Sequence, residues 1–454
     1  MRLSHAHLRL PCVAALLLVA FSGSATASST TSARSVAAGL EHTCAVTTAG
    51  GVKCWGLNDY GQLGNGTLNA AQTPVDVSGL TSGATAVATS DGPNGGFTCA
   101  LTSSGGVKCW GADGAGELGD GRTSCVRCAV PVDVTGLTSG IQAIAAAGQH
   151  ACALTDAGGV KCWGDNRRGQ LGDGRTCGSE LSHLFCVTPI DVPGLTSGVV
   201  AISAGRDHTC AVTSAGGVKC WGSNQFGELG DGTLSDRSVP VDVSGLASGM
   251  AGVDAGWMHT CARSSSGGVK CWGSNVYGEL GDHQACGTDC LTPVDVSVLT
   301  TGVRAVDAAD GYTCAVTNAG GLECWGGFGV RGLETGIEGF AGGAYHACAV
   351  TRGGGLECWG QNHYGQLGDG TMIDRPDPVK VAGFEPTRCV VPKVVGKTLP
   401  KAKARILRAH CKLGKVTRKR SSARTKGHVL AQSPRPGKRL AFGAKVKLTV
   451  GKGR

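Results

Sequence analysis

The chain has 454 residues, of which 76 are glycine and 23 are cysteine, while aromatic residues make up only 5%. So few aromatics argue against an ordinary aromatic-rich core, and glycine, far above the usual ~7%, recurs at fixed turn positions, which argues against low-complexity disorder. The net charge of +9 conceals a division: residues 387–454 carry 21 Lys and Arg with no Asp or Glu, leaving 21 basic against 33 acidic residues before them.

The chain opens with Arg2 and Arg9, an apolar run from Leu10 to Phe21, and the small-residue site Ala25-Thr26-Ala27. That order predicts a secretory signal over residues 1–27, cleaved after Ala27. The run falls well short of the about 20 residues a membrane helix needs. No later stretch is longer, so the mature chain is expected to be exported, with no transmembrane segment. Losing Cys12 with the signal leaves an even 22 cysteines, suited to a compartment where disulfides persist. Residues 28–35 read as a short disordered leader.

From Val36 a unit of four short strands is written seven times. It starts with a small apolar strand (Val36-Ala37-Ala38), then a hairpin such as His42–Gly56. A polar loop (Asn58–Thr67) and an extended Pro74-Val75-Asp76-Val77 complete it. The hairpins place two cysteines ten positions apart in every copy: Cys44 and Cys54, Cys99 and Cys109, Cys152 and Cys162, Cys210 and Cys220, Cys261 and Cys271, Cys314 and Cys324, Cys348 and Cys358. Each second cysteine precedes Trp-Gly. Antiparallel pairing about the Gly-rich turn sets the two cysteines of a copy face to face, at disulfide distance. The pairs Cys125 and Cys128, Cys177 and Cys186, and Cys286 and Cys290 share one place in their copies, between the loop turn and the last strand. They read as loop staples rather than as redox or zinc motifs. First cysteines are spaced by 55, 53, 58, 51, 53 and 34 residues, a period that signals a propeller.

The motifs A-G-x-x-H-x-C-A-[VL]-T, G-G-V-K-C-W-G, Y-G-Q-L-G-[DN]-G-T and P-V-D-V resemble the regulator of chromosome condensation repeat family over residues 36–384. The resemblance implies an all-β seven-bladed propeller that works by binding through one face. Members of the family include chromatin-bound exchange factors and secreted inhibitors of β-lactamases. The sixth copy lacks the L-G-D-G-T loop and the P-V-D-V strand after Trp325, so its blade is expected to be trimmed. Ring closure is expected from Asp377–Val381 pairing beside Val36–Ala38. From Cys389 onward, C-V-V-P-K-V-V-G, a helix near Leu399–His410 with Ala402, Ile406 and Ala409 on one face, G-H-V-L-A-Q-S-P-R-P-G and K-V-K-L-T-V resemble a PASTA domain. This small α+β module spans 388–451, and the resemblance implies recognition of cell-wall material. Cys389 and Cys411 would tie its first strand to the helix end.

His42, His150, His208, His259 and His346 occupy one slot in five copies, with Phe97 and Tyr312 filling it in the others. A residue repeated around a ring serves packing or hydrogen bonding in each blade, so the histidines are not expected to be catalytic or to bind metal. The Asp/Asn-Gly pairs at Asn65, Asp120, Asp173, Asp231, Asp282 and Asp369 read as turns, because they lack the dense ligand spacing of a calcium loop. No cofactor is implied and no catalytic set emerges. The rival class, a glycan-cleaving enzyme, would need a carboxylate pair near Asp207 or Asp310.

Recognition is expected on the face where the loop before each hairpin meets the loop after Trp-Gly. That face is predicted to carry Glu41, Phe97, Arg206, Asp207, Trp257, Met258, Tyr312 and Tyr345, as a surface for an extracellular protein or glycan. The basic segment is expected to meet a cell-wall polyanion or peptidoglycan, and export argues against nucleic acid as a partner. An inhibitor of an extracellular enzyme is the other binding role these features allow.

Overall fold

The computed structural model describes residues 31–453 apart from 91, 93–94, 123–125, 175–183, 283–285, 298, 328–332 and 334–335. The predicted signal and Cys12, Cys125, Cys177 and His183 lie outside the described residues.

Seven antiparallel sheets follow one another in chain order, six of four strands and the sixth of three. The first blade runs from an inner strand (Ala33–Ala38) through His42–Thr47 and Val52–Gly56 to an outer strand (Ala71–Asp76). The remaining inner strands, Ala84–Thr89, Ile141–Ala147, Val199–Ala204, Met250–Ala255, Val303–Ala308 and Ile337–Gly342, line a central channel with the first. Small residues dominate there because seven inner strands converge on one axis.

In every hairpin the two cysteines are directly opposed, with Cα atoms 4.1 Å apart, and each pair is bridged within its own copy. Blade by blade the bridges are Cys44–Cys54, Cys99–Cys109, Cys152–Cys162, Cys210–Cys220, Cys261–Cys271, Cys314–Cys324 and Cys348–Cys358. Cys286–Cys290 and Cys389–Cys411 are bridged as well. Cys128 and Cys186 are disulfide-bonded, and the partners expected for them are Cys125 and Cys177. On the outer side of the hairpin, the Lys of G-G-V-K-C-W-G faces the Asp of P-V-D-V. Lys53–Asp76, Lys108–Asp133, Lys161–Asp191, Lys219–Asp242 and Lys270–Asp295 lie 2.6–2.7 Å apart. The seventh blade swaps the signs and keeps the pairing, with Glu357 opposite Lys380.

Each Trp-Gly tryptophan packs into the core of the preceding blade: Trp110 joins Cys44, Val46, Val52, Cys54 and Leu63 of blade 1. Burying an indole of 150–250 Å² contributes roughly 4–6 kcal/mol, so a chain poor in aromatics spends them at the joints. The L-G glycine makes room for this packing. Gly64 has φ +64°, and a β-carbon there would lie 2.6 Å from the Trp110 indole nitrogen.

The ring closes differently from the expected strand exchange. Arg375–Lys380 pairs with Gly355–Gly360 of its own blade, because blades 1 and 7 both supply all their strands from contiguous chain. Closure comes instead from the segment just before the first inner strand. Thr31 bridges Phe384, with Thr31 N–H donating to the Gly383 carbonyl (3.0 Å) and Glu385 N–H to the Thr31 carbonyl (3.1 Å). The first strand therefore begins at Ala33, inside the stretch expected to be a disordered leader.

Beyond the ring, Cys389–Val390 pairs with Arg439–Leu440, a helix spans Leu399–Arg408, and Lys412–Lys419, Lys445–Gly451 and Val429–Ser433 form a three-stranded sheet. Ala402 and Ile406 turn inward onto Val429, Val446, Leu448 and Val450. The helix stops two residues before the expected end, where His410 adopts φ +56°.

Candidate binding face

The joints between blades decide which loop residues are free to face outward. The slot histidines are all buried, and each hydrogen-bonds through Nε2 to a threonine of the next blade: His42–Thr98, His150–Thr209, His208–Thr260, His259–Thr313 and His346–Thr43, at 2.7–3.0 Å. Each threonine hydroxyl in turn donates to a loop carbonyl, that of Gln366, Gln62, Gln170, Glu228 or Glu279. Its one proton is thus committed, and the histidine must be the donor. Burial holds these imidazoles neutral, with pKa values of about 3 for His150, His208 and His346 and about 4 for His42 and His259. The tryptophan indole N–H donates to the same carbonyl from the other side, as Trp55 does to Gln366 at 2.8 Å.

Phe97 and Tyr312 belong to this joint and not to the binding face. Both are buried in the histidine slot, and Tyr312 donates its hydroxyl to the Gly343 carbonyl at 3.0 Å. The other six predicted face residues, Glu41, Arg206, Asp207, Trp257, Met258 and Tyr345, are half-buried at the loop ends. Arg206 lies over the Trp257 ring at 4.3 Å, and the Trp257 indole nitrogen is buried without a hydrogen-bond partner among the described residues. The Asp207 carboxyl is pushed up by burial, against the pull of Arg206 at 3.6 Å. Glu41 is also raised by burial.

Beside this pair, a cleft of about 440 Å³ between blades 3 and 4 is lined by Gln149, Asp165, Arg167, Arg168, Arg206 and Asp207. Arg167 grips both oxygens of Asp165 (2.9 and 3.1 Å) and donates to Gln149 (2.8 Å), while Arg168 reaches Asp236 at 3.4 Å. Sequence reading missed Arg167 and Arg168. The available signal was the Arg-Arg in Gly-Asp-Asn-Arg-Arg-Gly, where the first copy writes Asp59-Tyr60. The same loop position elsewhere carries Tyr60, Phe226, Tyr277 and Tyr364, with Tyr277 64% exposed.

Near Asp207 the second carboxylate is Asp165, held by Arg167 in the same cleft, and Asp310 lines the channel. A carboxylate pair does stand in the channel, at positions the sequence reading passed over. The inner-strand residue opposite each first cysteine is Ala37, Ala88, Ala145, Ser203, Asp254, Asp307 and Ala341 in turn. The three polar ones stitch neighbouring inner strands together. Ser203 Oγ accepts from Ala255 N–H (3.0 Å) and donates to Asp254 (3.0 Å). Asp254 accepts from Ala308 N–H (2.7 Å), and Asp307 from Gly342 N–H (2.9 Å). Burial raises both carboxyls, and the charge of Asp254 pushes Asp307 further.

Ring and joints define a seven-bladed propeller of disulfide-stapled hairpins carrying a small basic module. The RCC1-like domain family matches residues 15–338, RCC1 repeats match 337–366 and 354–395, and the PASTA domain family matches 390–452. The chain belongs to the RCC1-like family, with a PASTA domain at its C-terminal end. It is 31% identical to the ultraviolet-B receptor UVR8 of Arabidopsis thaliana over 350 residues, 76% of this chain and 69% of that protein. It is 34% identical to the human E3 ubiquitin-protein ligase HERC2 over 215 residues, 47% of this chain but 4% of the ligase. Among solved structures, human WBSCR16 shares the fold at a TM-score of 0.64 and 21% identity, covering 74% of this chain and 94% of that one. Prp20p of Saccharomyces cerevisiae does so at 0.60 and 19%, covering 78% and 88%.

Proposed function

We propose that this chain is an exported binding protein: the loop face around Trp257, Arg206 and the adjoining cleft takes an extracellular protein or glycan, while the basic PASTA domain holds the molecule at the cell wall. The observation that carries the reading is the Arg206–Trp257 stack beside a cleft of non-repeated arginines, on a ring whose repeated histidines are taken up by the blade joints. The channel aspartates support binding over catalysis, because each has a neighbouring strand's amide as its partner. The similar plant protein is a receptor, which also supports recognition. Export rests on the predicted signal and on the disulfides, and wall association on the charge of residues 387–454.

The test is sedimentation of the full chain with purified bacterial cell walls. Screening shortens to about 3 Å at 1 M salt, so electrostatic anchoring releases there while a fitted peptidoglycan pocket holds. A chain that stays in the supernatant at low salt rules out the wall role. For the face, Arg206→Ala and Trp257→Ala together should abolish binding of a captured partner. Full affinity in a folded double variant would remove the face from the proposal.

A further inference from the structure

Five of the six blades that write the long loop after Trp-Gly wind it about one buried asparagine: Asn58, Asn166, Asn224, Asn275 or Asn362. Its Oδ1 accepts the backbone N–H of the leucine five residues on, at 2.9–3.1 Å. Its Nδ2 donates to the side-chain oxygen of Asn65, Asp173, Asp231, Asp282 or Asp369, at 2.9–3.4 Å. In blades 1, 4 and 7 it also donates to the carbonyls nine and eleven residues on, at 2.9–3.2 Å. The NH₂ group is the positive pole at the centre of a ring of oxygens.

The second blade writes aspartate at this place. Asp113 Oδ1 keeps the first bond, accepting Leu118 N–H at 3.1 Å, which sets Oδ2 where the other blades hold the NH₂ group. Asp113 is 0% exposed, and its Oδ2 has no hydrogen-bond partner among the described residues. Asp120 stands in the turn position of Asn65 and Asp231, with Oδ1 accepting Arg122 N–H at 2.9 Å. A donor at the centre of the oxygen ring has become a second carboxylate. Blades 4 and 7 neutralise their turn aspartate with Arg237 (2.9 Å) or Arg375 (3.1 Å). Those arginines pair with Gly222 and Gly360, and the corresponding partner of Gly111 in blade 2 is Cys128. Buried carboxylates without a compensating charge are strongly unfavourable.

We propose that blade 2 binds a hard, oxygen-seeking cation of the calcium type between Asp113 Oδ2, the Asp120 carboxylate and the Arg122 carbonyl oxygen, where the other blades place an amide. Two carboxylates, a backbone carbonyl and water are ligands that calcium accepts with loose geometry, whereas magnesium demands a near-ideal octahedron.

The test uses the full chain with disulfides intact, stripped with a chelator, and calcium ion as the probe. Calcium raises the unfolding temperature and titrates to one site, and magnesium and sodium raise it less. Asp113→Asn restores the arrangement used in the other five blades, so it folds without calcium and loses the shift. Asp120→Asn, matching Asn65 in blade 1, weakens the binding. Absence of any calcium shift in the unaltered chain overturns the proposal, since the pair then holds a proton. A shift that survives Asp113→Asn overturns it too, by placing the ion elsewhere.

Discussion

Phe97 and Tyr312 stand where five other copies have histidine, and in each case the residue facing them in the next blade changes as well. Histidine meets threonine at five joints, but the corresponding residues facing Phe97 and Tyr312 are Ala151 and Ala347. The hydroxyl is present only where an imidazole N–H needs an acceptor. His208→Phe should therefore destabilise by about 1–3 kcal/mol, because Thr260 loses its donor and the larger ring meets a threonine instead of an alanine. His208→Phe with Thr260→Ala rebuilds the joint of blades 2 and 3 and should recover much of that loss. Denaturant unfolding of both single variants and the double one measures the coupling, and additive effects would show that the two sites act independently. The pattern was legible in the sequence, since the slot and its two exceptions can be read there, but its meaning required knowing that position n of one copy touches position n + 1 of the next. Assigning Phe97 and Tyr312 to the outer face failed for that reason: they sit at the boundary between loop and strand, and one residue of register separates an exposed aromatic from a buried one.

The sixth blade shows what the loop after Trp-Gly contributes to the element that follows it. Six tryptophans donate their indole N–H to a carbonyl of the preceding loop, at 2.8–2.9 Å. Trp359 follows the blade without that loop, and its Nε1 is buried without a partner among the described residues. Trp221→Phe should thus cost about 1–2 kcal/mol more than Trp359→Phe, because only the first breaks a hydrogen bond. Equal losses in thermal unfolding would mean the indole bonds contribute nothing at the joints. The missing loop and strand were evident from the sequence, as were the hairpins, the cysteine pairing and the basic module, because each repeats or matches a local pattern. Ring closure was not, since strand exchange and closure through Thr31 differ only in which edge two distant segments share. Asp254 and Asp307 escaped notice because a lone aspartate in an alanine-rich strand carries no pattern, and its role depends on the adjacent blade.

Across the whole molecule, these buried groups set two opposing responses to acid. A histidine whose folded pKa lies near 3 or 4 binds its proton in the unfolded chain first, near pH 6.5. Its contribution to stability is complete above pH 6.5 and is lost as pH falls toward 4, at about 1.4 kcal/mol per pH unit for each group. The raised carboxyls run the other way. Asp254, at about 6, and Asp307, above its ordinary value, take protons in the folded state before the unfolded chain does near pH 3.8. Their contribution is present at low pH and is lost as pH rises through the folded value. Between pH 6.5 and 4 the carboxyls offset only part of the loss, because the five histidines outnumber them, so the unaltered chain should still lose stability on acidification. Asp254→Asn with Asp307→Asn removes part of the opposing set while leaving amide oxygens to accept from Ala308 and Gly342. The double variant should then lose stability on acidification more steeply than the unaltered chain, and should gain relative to it at pH 8, where unaltered aspartates carry buried charge. Unfolding free energies measured at intervals from pH 4 to 8 distinguish the outcomes. Parallel curves would mean that the channel aspartates titrate normally, and an acid side made shallower by the substitution would reverse the sign argued from their burial.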